Sequence, residues 1–151
     1  MCIRDSFVAG DAVVIDFIKH HARTEIFSAA PPPASVAAAA KALEIVEREP
    51  DRRKQLWETT TYMKGELQAL GFDTGDSESP VIPIGVGDDL LTFKMVHRLH
   101  EEGVFVNCVI SPAVPVGRAM IRTSYMATHT RAHLDRALDA LARVGRELGL
   151  R

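Results

Sequence analysis

The chain lacks most of the features that mark a specialised class of protein. Its two cysteines, Cys2 and Cys108, show no CxxC or zinc-ligand spacing, which argues against a disulfide framework or a structural metal site. Cys108 reads as a small buried hydrophobe, and neither thiol has the local histidine context of a nucleophile. An excess of charge of one sign is missing as well. Eighteen basic and twenty acidic residues give a formal charge of -2, so no global field draws the chain to nucleic acid or to an anionic membrane. The run Arg52-Arg53-Lys54 is a solvated helix face. No stretch approaches the roughly 18 apolar residues that span a bilayer, and the first residues lack the apolar core of a secretory signal. The chain reads as cytoplasmic, with no membrane span. Its one glycine-rich turn, "GVGDD", is too short for a GxGxxG fingerprint and carries no P-loop lysine.

What is present is the profile of a globular domain, 46% hydrophobic and 25% charged over 151 residues, enough to bury a core. Residues 1–6, "MCIRDS", read as an extraneous leader, because the following "FVAGDAVVIDFIKHH" has the character of the middle of a folded protein. Phe7 and Val8 look like the end of a strand, Gly10-Asp11 a turn, and a short helix is predicted from about Asp11 to His20. "RTEIFSAAPPP" reads as loop. A helix then starts beside Pro33 and stops at Pro50, with Val36, Ala40, Leu43 and Val46 on one face. A second runs from about Asp51 to Leu70, with Leu56, Met63, Leu67 and Leu70 in register and Gly71 as its terminator.

"SPVIPIGVG" is predicted as a strand whose Pro83 confines it to an edge or a bulge. Asp88 or Asp89 can cap the helix "LLTFKMVHRLHEE", which Gly103 ends. "VFVNCVIS" and "AMIRTSYM" follow as strands around a rigid "PAVPVG". The last helix, about Arg131 to Leu148, turns Leu134, Leu138, Leu141 and Leu148 inward behind Thr128 or Thr130 as cap. The predicted architecture is α/β: two long helices, then a β-α-β-β-α layer with a small, mainly antiparallel sheet.

Arg122 is the first candidate functional residue, since it stands where a buried strand would place an apolar side chain. Its planar five-donor fork matches a carboxylate with two parallel bonds. From spacing alone it either pairs with a neighbouring carboxylate or points into a cleft. Ser28, in "FSAAPPP" ahead of a helix whose N-terminus favours anions, is either a phosphate contact or an ordinary turn serine. His129 and His133 stand four apart as some zinc ligands do, but no glutamate follows His129 as HExxH requires and no cysteine is near, which argues against metal. His97, His100 and the pair His20-His21 read as helix-surface residues.

Taken in order, "FSAAPPP", "SPVIPIGVGDD", "EEGVFVNCVISPAVPVG" and "IRTSYMATHT" resemble the C-terminal part of the α-oxoamine synthases, fold-type I enzymes that depend on pyridoxal 5'-phosphate. That group includes serine palmitoyltransferase, glycine C-acetyltransferase and 8-amino-7-oxononanoate synthase. The likeness covers residues 7 to 151 and is nearest to serine palmitoyltransferase-like members. It implies decarboxylative condensation of an amino acid with an acyl-CoA, carried out by a homodimer. The cofactor ring acts as electron sink and the protein orients the substrate.

By the same resemblance, residues 7–33 are a remnant of the large cofactor-binding domain, and residues 34–151 are linking helices and the C-terminal small domain. Arg122 matches the arginine that grips the substrate carboxylate. Ser28 matches the Ser/Thr that reaches the cofactor phosphate of the neighbouring subunit, although Ala29 and Ala30 stand where relatives carry further hydroxyls. The Schiff-base lysine of the family belongs to a Ser/Thr-Lys segment followed by glycines. Lys19, Lys41, Lys54, Lys64 and Lys94 all lie in helical patterns without one, so this chain alone is expected to be inactive. Two readings of other classes are a non-catalytic subunit that stabilises a catalytic partner and a stand-alone amino-acid-binding module. An orphaned apolar strand near the start would make the isolated chain poorly soluble.

Overall fold

The computed structural model describes residues 8–150; the expected leader, together with Phe7, lies outside them. Two compact units divide the chain, the first closing at Glu44 and the second running from Ile45. In the first unit, α1 (Ala12–His21), the single turn α2 (Arg23–Ile26) and most of α3 (Pro33–Arg48) are helical. Two expectations change here. Val8, expected with Phe7 as the end of a strand, is not in one, since an extended segment needs a ladder partner and none is present among the described residues. Arg23–Ile26, expected as loop, closes a helical turn in which Phe27 N–H donates to Arg23 O at 3.0 Å. The α3 stripe forms as predicted but leaves Val36, Leu43 and Val46 more than half exposed.

The second unit holds α4 (Pro50–Ala69), β1 (Val81–Gly87), α5 (Asp89–Glu101), β2 (Asn107–Val109), β3 (Ala119–Ser124) and α6 (Arg131–Glu147). Each helix ends where its sequence signals it. Pro50 at the first turn of α4 gives up an N–H that would have no helical partner. Gly71, at φ 86, lets Phe72 N–H return to Leu67 O at 3.0 Å, the hydrogen bond that closes a Schellman end. Asp88 caps α5 through Leu91 N–H at 2.7 Å. Thr130 caps α6: its hydroxyl accepts from His133 N–H while the His133 ring accepts from Thr130 N–H. His133 is thus a capping residue on a helix end.

The sheet is antiparallel throughout, in the order β1-β3-β2, so β3 is central and β1 is an edge, as Pro83 demands. Val81 N–H is taken by Ser79 Oγ and Gly85 N–H by Asp73 O at 2.8 Å. Pro83 has the same parity, so its missing N–H faces the outer edge and costs no ladder bond. β2 is shorter than "VFVNCVIS" suggests. The His100 ring sits against the Val106 carbonyl at 3.2 Å and the Val106 N–H at 3.5 Å, which takes that residue out of the ladder.

Alternation assigns the two faces. Ile82 and Ile84 of β1 and Ala119, Ile121 and Thr123 of β3 are buried against Met63 and Leu67 of α4, Met95 and Leu99 of α5, and Leu134, Leu138, Leu141 and Val144 of α6. Each of the isoleucine, leucine, valine and methionine side chains contributes about 1.5–3 kcal/mol by leaving water. Cys108 lies in register with Ile121 on this side but is only half-buried, because β2 is the short outer edge. Leu148, at the end of α6, is likewise partly buried.

Candidate functional site

The opposite face of the sheet carries Val81, Pro83 and Gly85 from β1, Met120, Arg122 and Ser124 from β3, and Asn107 and Val109 from β2. Pro83, Arg122 and Asn107 are cross-strand partners and form one row. A shallow cleft lined by Asp73, Gly85, Gly87, Gly117, Arg118 and Met120 opens farther along this face, around the bulge between Gly85 and Gly87.

Arg122 therefore occupies the middle of the central strand and turns away from the helices. Its Nε is sealed from solvent with no hydrogen-bond partner, and no ion pair to its side chain occurs among the described residues. The neighbouring-carboxylate alternative thus finds no carboxylate within pairing distance. A buried donor left unpaired costs about 1–3 kcal/mol, and more when the group is charged. A guanidinium with an unpaired buried donor can accept an anion brought from outside.

Ser28 belongs to the first unit and is exposed, its hydroxyl donating to the Thr24 carbonyl one turn back. The expected anion-favouring helix end is weaker than its position suggests. Pro31, Pro32 and Pro33 have no N–H, and the N–H groups of Ser35 and Val36 both go to Pro32 O. That leaves Ala34 as the one free backbone donor of the first turn.

Tyr125, just past β3, packs on the helix side, and its hydroxyl is buried without a partner. Burial is the larger influence on this phenol and pushes its pKa up, while the Thr123 hydroxyl, near it but outside good hydrogen-bond geometry, acts in the opposite direction. The His129 ring meets Tyr125 and His133 edge-on at 6.4 and 6.5 Å, and no group of three or more metal-ligating side chains occurs among the described residues. Within those residues no helix is long and apolar enough to cross a membrane. Sequence reasoning overlooked Asn107, although its signal was present: it is the single polar residue inside the apolar run "VFVNCVI".

The model of the aminotransferase class I and II family matches residues 2–141. The chain is 49% identical over 144 residues to 8-amino-7-oxononanoate synthase of Symbiobacterium thermophilum, covering 95% of this chain and 37% of the relative. It is 50% identical over 138 residues to serine palmitoyltransferase of Sphingobacterium spiritivorum, covering 91% and 35%. A solved structure of SPT with PLP superposes with a TM-score of 0.79 at 28% identity, covering 91% of this chain and 35% of that one. The chain thus spans little more than a third of the length of the curated relatives it matches.

Proposed function

Since the chain belongs to the aminotransferase class I and II family, we propose that it is the C-terminal part of an α-oxoamine synthase. The whole protein would condense an amino acid with an acyl-CoA and release carbon dioxide. The serine palmitoyltransferase type is preferred, with 8-amino-7-oxononanoate synthase and glycine C-acetyltransferase as the alternatives, and the cytoplasm is its expected compartment. The observation that carries this reading is Arg122, a guanidinium whose Nε is buried and unpaired on the uncovered face of the sheet.

Within this reading Arg122 holds the carboxylate of the amino acid. Two parallel charge-assisted bonds from one planar fork fix the plane of that carboxylate, and so fix how the bonds at the adjacent carbon are turned. A lysine could supply the charge but not the plane. Pyridoxal 5'-phosphate, when bound, supplies a conjugated ring that accepts electron density from the amino acid. The residues present fit part of its surroundings. The orphaned Arg122 donor suits the substrate's acid end, and Ser28 offers an exposed, rotatable hydroxyl to the phosphate of a neighbouring subunit in a homodimer. With Ala34 as the one free backbone donor of the helix turn that follows, Ser28 is one contact among several that the rest of the protein must supply. The five lysines of this chain lie on helices, Lys64 being engaged with the Ser77 carbonyl at 2.7 Å. The chain alone is therefore inactive in this reading.

The test is steady-state kinetics of the full-length protein. Truncating one partner of a buried charge pair costs about 2–5 kcal/mol, so Arg122→Ala should raise KM for the amino acid by about 30-fold or more while KM for the acyl-CoA moves little. Arg122→Lys should fall between. An unchanged KM for the amino acid in Arg122→Ala would remove the assignment.

A further inference from the structure

Arg122 has unlike neighbours on its two sides. On the β1 side its partner is Pro83, whose ring offers neither a donor nor an acceptor. On the β2 side its partner is Asn107, exposed on the short edge strand. No side-chain hydrogen bond of Asn107 occurs among the described residues. Directly opposed residues in an antiparallel pair hold their Cβ atoms about 4.5–5.5 Å apart, so Asn107 and Arg122 rise side by side from the same face of the sheet.

A carboxylate presents about four lone-pair sites to donors, and the guanidinium fork uses two. We propose that Asn107 is a second ligand-holding residue, its amide N–H donating to the carboxylate oxygen on the β2 side of Arg122. This rests on the reading of Arg122 given above and extends it. With a donor on one side and an apolar ring on the other, the row orients the acid end of the substrate toward β2 and its carbon skeleton along the Pro83 side. Neutrality at position 107 is part of the device, for an acid there would itself occupy Arg122 and exclude the substrate.

The test uses the chain itself, labelled with nitrogen-15, and follows the Arg122 Nε–Hε resonance, assigned with Arg122→Lys. L-Serine and sodium acetate are titrated at pH 7, with sodium chloride matching ionic strength. In the parent chain the resonance should shift saturably with both carboxylates and not with chloride. Asn107→Ala should weaken the apparent affinity about tenfold. Asn107→Asp should shift the Arg122 resonance before any ligand is added and abolish the response. Backbone amide spectra should be unchanged outside β2 and β3, which separates binding from folding. If both variants titrate like the parent, Asn107 has no such role and the reading of Arg122 stands. If Arg122 fails to respond in the parent chain, both fall.

Discussion

The phenol of Tyr62 donates to Asp135 Oδ1 at 2.7 Å, tying α4 to α6 across 73 positions of sequence. Arg131 lies over the same ring, 3.3 Å from its centroid, and reaches Asp135 Oδ1 at 3.2 Å. The bond to Asp135 is the first cause of a raised Tyr62 pKa. Tyr62→Phe keeps the ring under Arg131 and removes only the hydroxyl. A loss of about 0.5–1.5 kcal/mol is expected, the usual net value of one hydrogen bond. It should appear as a lower urea midpoint at unchanged slope, and a midpoint equal to the parent's would mean that water already replaces the bond.

Asp88 and Asp89 were equivalent as caps on sequence grounds, and the structure separates them. Asp88 accepts from Leu91 N–H at 2.7 Å while its carbonyl takes the Thr92 hydroxyl at 2.7 Å; Asp89 is the first residue of the helix itself. Asp88→Ala should cost about 1 kcal/mol. Asp89→Ala loses a charge near the positive end of the helix and should cost a few tenths of that scale. Equal losses in thermal melts of the two variants would contradict the assignment.

Much of the second unit was legible because its signals are local and mutually consistent. The leucines of α6 recur at helical spacing and are buried, and Gly71 and Gly103 stand where two helices stop. Pro83 marks an edge strand, and the antiparallel layer follows in the expected order. What was not legible depended on groups distant in sequence or absent from any pattern. β2 loses a residue to the His100 ring. His133, whose spacing from His129 only superficially matched a zinc pair, serves as a cap, a role its sequence position did not announce. The apolar stripe of α3 says nothing of what covers it, and Val36 and Leu43 stay exposed. Arg122 was conspicuous by type, since few strands carry arginine amid apolar residues. Whether a carboxylate stood beside it could only be answered in three dimensions.

Gly103 supplies a third test. At φ 78 it ends α5 and lets Val104 N–H return to Leu99 O at 2.8 Å. A Cβ there would come within 2.8 Å of Arg136 Nη2, the mobile tip of an exposed side chain that can swing aside. The backbone cannot adjust so easily, since a left-handed conformation costs a residue with a Cβ roughly 1–2 kcal/mol. Gly103→Ala should therefore lower Tm by several degrees, and Gly103→Asn by less, because asparagine tolerates this region. If both variants melt with the parent, the turn is not held in that conformation in solution.

Tyr125 makes the alkaline limb of stability a test of burial. Its hydroxyl is enclosed with no hydrogen bond of good geometry, and burial raises its pKa above the ordinary 10.0 against a smaller lowering by the neighbouring Thr123 hydroxyl. A group whose pKa is higher in the folded state keeps its proton there after the unfolded chain has lost it. Its stabilising effect is complete below pH 10 and declines as pH rises through the folded value. Tyr62, also raised, adds to the same limb. Tyr125→Phe removes an unsatisfied hydroxyl while keeping the ring packed against the core, so stability at pH 7 should hold or rise by about 1 kcal/mol. Between pH 9 and 11 its Tm should fall less steeply than the parent's, and the double Phe variant, which also lacks Tyr62, should fall less steeply still. Parallel curves for Tyr125→Phe and the parent would show that water reaches this phenol in the folded chain.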